Sequence, residues 1–415
     1  MNPISKQVVI IGGGPAGLAA AVELKRRGIQ DVLVLEREHE AGGILRQCIH
    51  DGFGLTRFGE SLSGPEYAAR FLEQALALGV EIRSGTTVVH LSQDKLVTAV
   101  SPDGLQQYQA QAVLLAMGCR ERTRGALAIP GTRPSGVYTA GVAQNYVNLR
   151  NTMPGRRVII LGSGDIGMIM ARRMTLEGAE VLGVFELQPY PSGLPRNIQQ
   201  CLRDYDIPLH LSHTVTAIHG DARLTGVTIS RVDPATLRPI PGTEQDYACD
   251  TLILSVGLIP ENELSLEASV ALDGHTKGAA VDTWRQTSVP GIFAAGNVLH
   301  VHDLVDFVSL EAEQTAGAIT AYLAGRLPAC DIPVEPGEGL VYALPQRINA
   351  QQPTELCFRV RRPMRPCRVQ AIQNGQVIAE KKFIRAIPAE MERLPLLPGA
   401  LLGDQTVKVV ASDDE

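Results

Sequence analysis

Gly12, Gly14 and Gly17 follow the apolar run Val8–Ile11 in the order G-x-G-x-x-G and precede a helix-forming stretch. That spacing suits a backbone wrapped around a pyrophosphate. The first glycine permits a tight turn, the second lets the chain approach the phosphates, and the third lets helix and strand pack closely. Pro15 and Ala16 open the helix, whose first N–H groups have no intrahelical partner and can face an anion. Glu36 ends the next apolar run, 19 residues after Gly17 (36 − 17), where a carboxylate can accept two ribose hydroxyls. Arg37 follows it, and Gly42, Gly43 and Ile44 lie just downstream. The same pattern recurs at Gly162, Gly164 and Gly167, with Asp165 and Ile166 inside the loop and Glu186 again 19 residues after the last glycine (186 − 167). An acid there with no arginine beside it predicts NAD(H) over its 2′-phosphorylated form, because the phosphate would be repelled. Arg172 and Arg173 fall inside the helix, poorly placed to hold that phosphate.

These loops need a strand before them, a helix after them and a second strand to carry the acid. Residues 8–36 and 158–186 supply that arrangement twice, at an offset of 150 (158 − 8). Such a period is far too long for a solenoid and marks two copies of one nucleotide-binding unit. Between them, residues 65–79 read as an amphipathic helix from Pro65 to Gly79, followed by strand-like runs at 80–91, 96–101 and 113–118. Past the second copy come two strand-like runs, then TLILSVG at 251–257 and VPGIFAAGN at 289–297, and a helix from about Ser309 to Ala324 capped by Gly325. From about 330 the texture becomes proline-rich with short alternating segments, and Asn374-Gly375 predicts a two-residue hairpin. The expected class is α/β: a nucleotide-binding domain over 1–120 and 280–329, a second inserted over 121–279, and a small β-rich domain over 330–415, expected to contact another subunit.

Composition narrows the partners. The 415 residues carry a net charge of −6 with basic side chains scattered, which argues against nucleic acid as the main ligand. Seven cysteines without a CxxC pair suit a reducing cytoplasm. Lys6 followed by apolar residues has the outline of a signal peptide, but Gly12-Gly13-Gly14-Pro15 would unwind its helix. No stretch approaches the roughly 20 uninterrupted apolar residues of a membrane span. The spacing of His300, His302, Asp303 and Asp306 would permit metal ligation, yet a hydrogen-bonded loop is the expectation, with no metal. Arg359, Arg361, Arg362, Arg365 and Arg368 form the single basic patch, read as a solvated strand face or, alternatively, a dock for an acidic partner.

The ordered motifs GGGPAGLAAA, LEREHEAGG, LLAMG, GSGDIG, LILSVGLIP and VPGIFAAGN resemble the pyridine nucleotide–disulfide oxidoreductase superfamily over residues 5 to about 325. The resemblance implies FAD in the first copy and NAD(H) in the inserted second. It implies a chain crossover at Ala116-Met117-Gly118, an adenine contact at Val88, and flavin contacts at Gly296 and Asn297. It also implies a helix starting near Phe307-Val308 whose N-terminus faces the flavin, and Gly257 beside the nicotinamide dinucleotide. Cys48 and His50 would fall near the flavin ring, either as a proton donor or thiolate or as packing without chemistry. The paired cysteines of disulfide-reducing relatives are missing, Asn297 replaces the usual aspartate, and Ile169 replaces a glutamate common in relatives. GGILRQCIHDGFGL, FGESLSGPEYA and GNVLHVHDLVD are similar to a narrower group of flavoprotein subunits. These accompany FAD-dependent glycerol-3-phosphate dehydrogenase and, more distantly, belong to opine oxidase, hydrogen cyanide synthase and dye-linked proline dehydrogenase. The implied activity is hydride transfer between NAD(H) and flavin, with a small-molecule or protein electron donor or acceptor and a partner dehydrogenase subunit. A self-contained NADH:acceptor oxidoreductase and a non-catalytic scaffold subunit are the alternatives.

Overall fold

The computed structural model describes residues 2–414, which divide into two compact units: one formed by the chain up to Cys119 together with Pro260 onward, the other by Arg120–Ile259. In the first, β1 (Ile4–Ile11) leads into α1 (Pro15–Arg26) and β2 (Val32–Leu35). β1 pairs in parallel with β2 on one side and with the strand Gly104–Leu115 on the other. Successive side chains of a strand point to opposite faces, and β1 uses both. Val8 and Ile10 pack among α1 and the helices Gly64–Ala77 and Val305–Leu323, whereas Val9 and Ile11 join a second core with Leu115, Val281 and Ile292. Gly104–Leu115 is long enough to serve two roles. Its first half pairs antiparallel with Leu96–Ser101, and its last residues pair in parallel with Ile292–Ala294. The carboxyl ends of β1, Gly104–Leu115 and Ile292–Ala294 therefore meet at one edge of the sheet, where ligands of open α/β folds bind.

The second unit repeats the motif as β3 (Arg157–Leu161), α2 (Asp165–Leu176) and β4 (Glu180–Glu186). They sit in a five-stranded parallel sheet ordered Val137–Thr139, Thr251–Leu254, β3, β4, Leu209–Leu211, beside a three-stranded antiparallel sheet. Near-continuous apolar runs such as Val158–Leu161 follow from burial on both faces of a parallel sheet.

Residues 260–279, expected with the inserted copy, pack in the first unit instead. Asn262 Nδ2 donates to Lys277 O at 2.8 Å, and Ala268, Val270 and Ala279 join the core that holds Val9 and Ile292. The helix expected from Ser309 begins at Val305 and is labelled α3 (Val305–Leu323). Beyond residue 330 lie a five-stranded and a three-stranded sheet around one shared core. Asn374 and Gly375, both at positive φ (52° and 75°), form the hairpin turn between Cys367–Gln373 and Gln376–Phe383.

Arg361, Arg362 and Arg365 of the arginine run are exposed, but Arg359 departs from that face. Arg359 is buried in part, donating to Val301 O at 3.1 Å and to Asp303 Oδ1 at 3.3 Å, while Arg362 pairs with Asp413 and Arg368 with Asp414. Its strand, Thr354–Val360, lies between two others in the three-stranded sheet, and Arg359 is half-buried on it. The acids that the patch was expected to meet on a partner are largely supplied by this chain.

Candidate functional site

The first glycine loop shows which glycines the protein needs for itself. A Cβ on Gly12, at φ 110°, would lie 2.4 Å from Ala116 O, and one on Gly17 would lie 1.9 Å from Gly12 O. Both positions are closed by backbone. Gly14 is different: its φ of −77° suits any residue, and the nearest atom to a Cβ would be Gly43 Cα at 3.9 Å. Packing leaves open space at the start of α1, where the first N–H groups carry no side-chain cap. Glu36 is buried beside it. One carboxylate oxygen accepts Gly13 N–H at 2.7 Å and the other accepts Glu38 N–H at 2.8 Å. A carboxylate has about four acceptor positions, so two remain for ribose hydroxyls. An uncapped helix start, an open Gly14 and a half-satisfied buried acid together fit a dinucleotide.

The other expected residues gather unevenly around that loop. Ala116 N–H donates to Ile11 O, so Ala116-Met117-Gly118 leaves the sheet beside Gly12. A Cβ on Gly296 would lie 2.9 Å from Ala16 Cβ and 3.2 Å from Val308 Cγ1, which places the 296–297 turn against the start of both α1 and α3. Asn297 turns its Oδ1 back to accept His302 N–H at 3.1 Å. Val88 is the second residue of the strand Thr87–Leu91, two residues after Thr86, whose N–H donates to Glu36 O. Gly43 and Ile44 begin a single 3-10 turn, and Ile44 is exposed, as is Arg37 near Glu38. Phe307 lies in the first turn of α3 with the Arg393 guanidinium 4.3 Å over its ring. Asp306, which could have opposed an anion at this helix start, is occupied: its oxygens accept Gly54 N–H at 3.0 Å and Thr56 N–H at 2.9 Å. The buried Cys48 thiol donates to Ile44 O at 3.3 Å, and His50 packs on Phe53 with ring centroids 4.8 Å apart.

The histidines do not converge with Asp303 and Asp306. They close instead on Glu311, a residue the sequence did not single out. His300 Nε2 lies 2.9 Å from Glu311 Oε2 and His302 Nε2 lies 3.6 Å from Oε1, while Arg285 Nε donates to Oε2 at 3.2 Å and Gly296 N–H to Oε1 at 2.9 Å. These three side chains have the types of a metal set, with candidate ligand atoms within 4.8 Å of one another. A guanidinium already bonded to the shared carboxylate supplies the balancing charge, and the arrangement reads as a charge-balanced hydrogen-bond network. Burial alone would push Glu311 up, but His300, His302 and Arg285 outweigh it and hold the carboxyl well below the usual range. Burial, followed by His300, pushes the His302 imidazole down to about 3, so it is neutral at physiological pH. Glu311 thereby pins the turn at Gly296 to the body of α3.

The second loop repeats the glycine logic with different occupants. A Cβ on Gly162 would lie 2.0 Å from Ser255 O and one on Gly167 2.5 Å from Gly162 O, whereas one on Gly164 comes no closer than 3.7 Å, to Ser255 Oγ. Glu186 is buried, but its Oε2 already accepts Ser163 N–H at 2.9 Å, Ser163 O–H at 2.7 Å and Ser192 O–H at 2.8 Å. Oε1 accepts Gln188 N–H at 2.9 Å. Asp165, in the first turn of α2, accepts Leu194 N–H at 2.8 Å and Asn197 Nδ2 at 2.6 Å; Ile166 next to it is half-buried. Gly257 follows the strand Thr251–Leu254, and its carbonyl accepts Arg122 N–H at 3.1 Å.

The chain is 28% identical over 345 residues to hydrogen cyanide synthase subunit HcnB of Pseudomonas aeruginosa, covering 78% of this chain and 70% of that one. It is also 28% identical over 345 residues to the glutamate synthase (NADPH) small chain of Escherichia coli K12, covering 77% and 69%. Among solved structures, thioredoxin reductase of T. acidophilum superposes with a TM-score of 0.62 at 25% identity, over 77% of this chain and 99% of that one. No helix among the described residues is long and apolar enough to cross a membrane. The family model for pyridine nucleotide-disulphide oxidoreductases matches residues 6–320, and with both glycine loops in place the chain belongs to that family.

Proposed function

We propose that the chain is an FAD-dependent oxidoreductase that exchanges electrons with NADH, working as the electron-transfer subunit of a small-metabolite dehydrogenase complex of the glycerol-3-phosphate or amino-acid type. The observation that carries this reading is the pair of strand–glycine loop–helix–strand–acid units in a chain without paired cysteines. The first would hold FAD: the opening N–H groups of α1 face the pyrophosphate, Glu36 accepts ribose hydroxyls, and the start of α3 offers its positive dipole end to negative charge on the flavin. The second would hold the nicotinamide dinucleotide. Bound together, the two cofactors supply hydride transfer between their rings, and the protein orients them. The multi-subunit role is supported by the relative HcnB, itself a subunit.

Anaerobic titration of the purified protein, followed by flavin absorbance, tests the reading. NADH should bleach the flavin, and unchanged absorbance would leave a scaffold role in its place. NADPH should be poorer by about tenfold or more, since an acid at position 186 disfavours a 2′-phosphate and residues 187–195 contain no Arg or Lys to receive one. Equal or better use of NADPH would overturn the preference. Co-purification with a partner flavoprotein separates the subunit reading from a self-contained oxidoreductase.

Disulfide reductase activity should be absent, because a dithiol relay needs a second cysteine to resolve the mixed disulfide. Cys48→Ser should change the rate of flavin reduction by NADH less than about twofold, because the thiol serves a carbonyl of its own turn and rate follows barrier height at about 1.4 kcal/mol per tenfold. A near-complete loss in a variant that still holds FAD would make Cys48 a catalytic residue.

A further inference from the structure

The two glycine-loop copies provide an internal comparison. At the offset of 150, Glu36 corresponds to Glu186, Glu38 to Gln188, Gly13 to Ser163, Gly42 to Ser192 and Gly43 to Gly193. The backbone donors to the acid are shared: Gly13 and Glu38 N–H in the first copy, Ser163 and Gln188 N–H in the second. The side chains are not. Where the first copy has Gly13 and Gly42, the second has two serines whose hydroxyls both donate to Glu186 Oε2, at 2.7 and 2.8 Å. Ser192 N–H in turn donates to Ser163 Oγ at 2.9 Å, and Asp165 grips the following Leu194 N–H. Three donors on one carboxylate oxygen exceed its two lone pairs.

We propose that Ser163 and Ser192 stand in for nucleotide ribose hydroxyls on Glu186, so that the segment 187–194 is a self-bound strap a dinucleotide must displace to enter the second unit. This rests on the reading that the second unit binds a nicotinamide dinucleotide. Ser192 lies at the exposed surface while the acid it caps is buried, and the segment is anchored behind it by the buried Gly193 and Leu194, so the hydroxyl contacts are the part a ligand can reach first. Its consequence is a second site intrinsically weaker than the first, with Glu36 available and Glu186 already satisfied.

The test is calorimetric titration of NAD+ and NADH into the full-length, flavin-loaded protein and into Ser163→Ala/Ser192→Ala. Alanine removes only the hydroxyls and leaves the backbone donors in place. The double variant should bind about tenfold more tightly, the gain expected when a charge-assisted hydrogen bond no longer has to be displaced. Ser192→Ala alone should show a smaller gain in the same direction, and it decides the matter should the double variant fail to fold. Equal or weaker binding would overturn the strap while leaving the nucleotide site in place. No binding to either protein would remove the site itself and the inference with it.

Discussion

A Gly14→Val chain is expected to fold around the same strand and helix yet purify with little flavin. Position 14 sits in an ordinary extended conformation, and a Cβ there meets nothing closer than 3.9 Å, so valine costs the fold little. Its methyl groups would project into the open space at the start of α1, between the loop and Gly43. Any dinucleotide would then lose close approach to the opening N–H groups. Each charge-assisted hydrogen bond lost is worth about 1.5–3 kcal/mol, so even one corresponds to roughly a tenfold to hundredfold loss of affinity. The ratio of flavin to protein absorbance after purification measures this, with the melting temperature of the flavin-stripped proteins as the control for folding. A substitution at Gly17 should behave differently, since a Cβ 1.9 Å from Gly12 O breaks the strand–helix packing itself. Full flavin content in Gly14→Val would remove FAD from this loop.

The contrast between Gly14 and Gly17 shows what was legible in the sequence. Spacing alone places both copies of the loop, because a tight turn, a close approach and a helix crossing each demand glycine at a fixed register. The terminal acids and the Asn374-Gly375 hairpin are legible for the same reason: local geometry restricts the residue. Glu311 carries no such mark. It lies mid-helix among Glu, Ala and Gln, and only the crossing of α3 behind the Gly296 turn gives it Arg285 and His300 as partners. The place of residues 260–279 in the first unit is not legible, because the contacts of Asn262 with Lys277 and Val298 there span a turn that has no periodic signature. Ser163 and Ser192 are visible when the copies are aligned, but serine in place of glycine does not reveal that both hydroxyls turn onto one oxygen.

The same limit applies to the C-terminal residues, where contacts within the chain favour a second outcome beside subunit contact. A β-rich module without a nucleotide motif, bearing a run of five arginines, suggests a detachable dock whose loss would spare FAD and abolish a complex. Its side chains point to another outcome. Tyr342 and Leu344 are 6% and 0% exposed and sit in the core that also contains Val9, Ile11 and Ile292. Gln346 Oε1 accepts Val281 N–H at 2.9 Å, Arg359 holds the 301–303 segment, and Arg393 covers Phe307 at the start of α3. Deleting residues 331–415 would expose that core face and release the turn beside the proposed flavin site. Truncating one buried large apolar side chain costs about 2–5 kcal/mol, and two such losses alone approach the roughly 5–15 kcal/mol that holds a domain folded. The truncated chain is therefore expected to be insoluble or colourless. Leu344→Ala, a milder cut at the same junction, should lower the melting temperature by a few degrees, since about 2.1 cal/mol/K of unfolding entropy per residue gives roughly 1 °C per kcal/mol for a 415-residue chain. Soluble expression with flavin content read at purification tests the deletion, and thermal unfolding tests the point variant. A truncated protein that is soluble and yellow would restore the module as a separate dock. A colourless one would leave association with a partner to be sought on the remaining exposed surfaces, with the arginine–aspartate pairs Arg362–Asp413 and Arg368–Asp414 already satisfied within the chain.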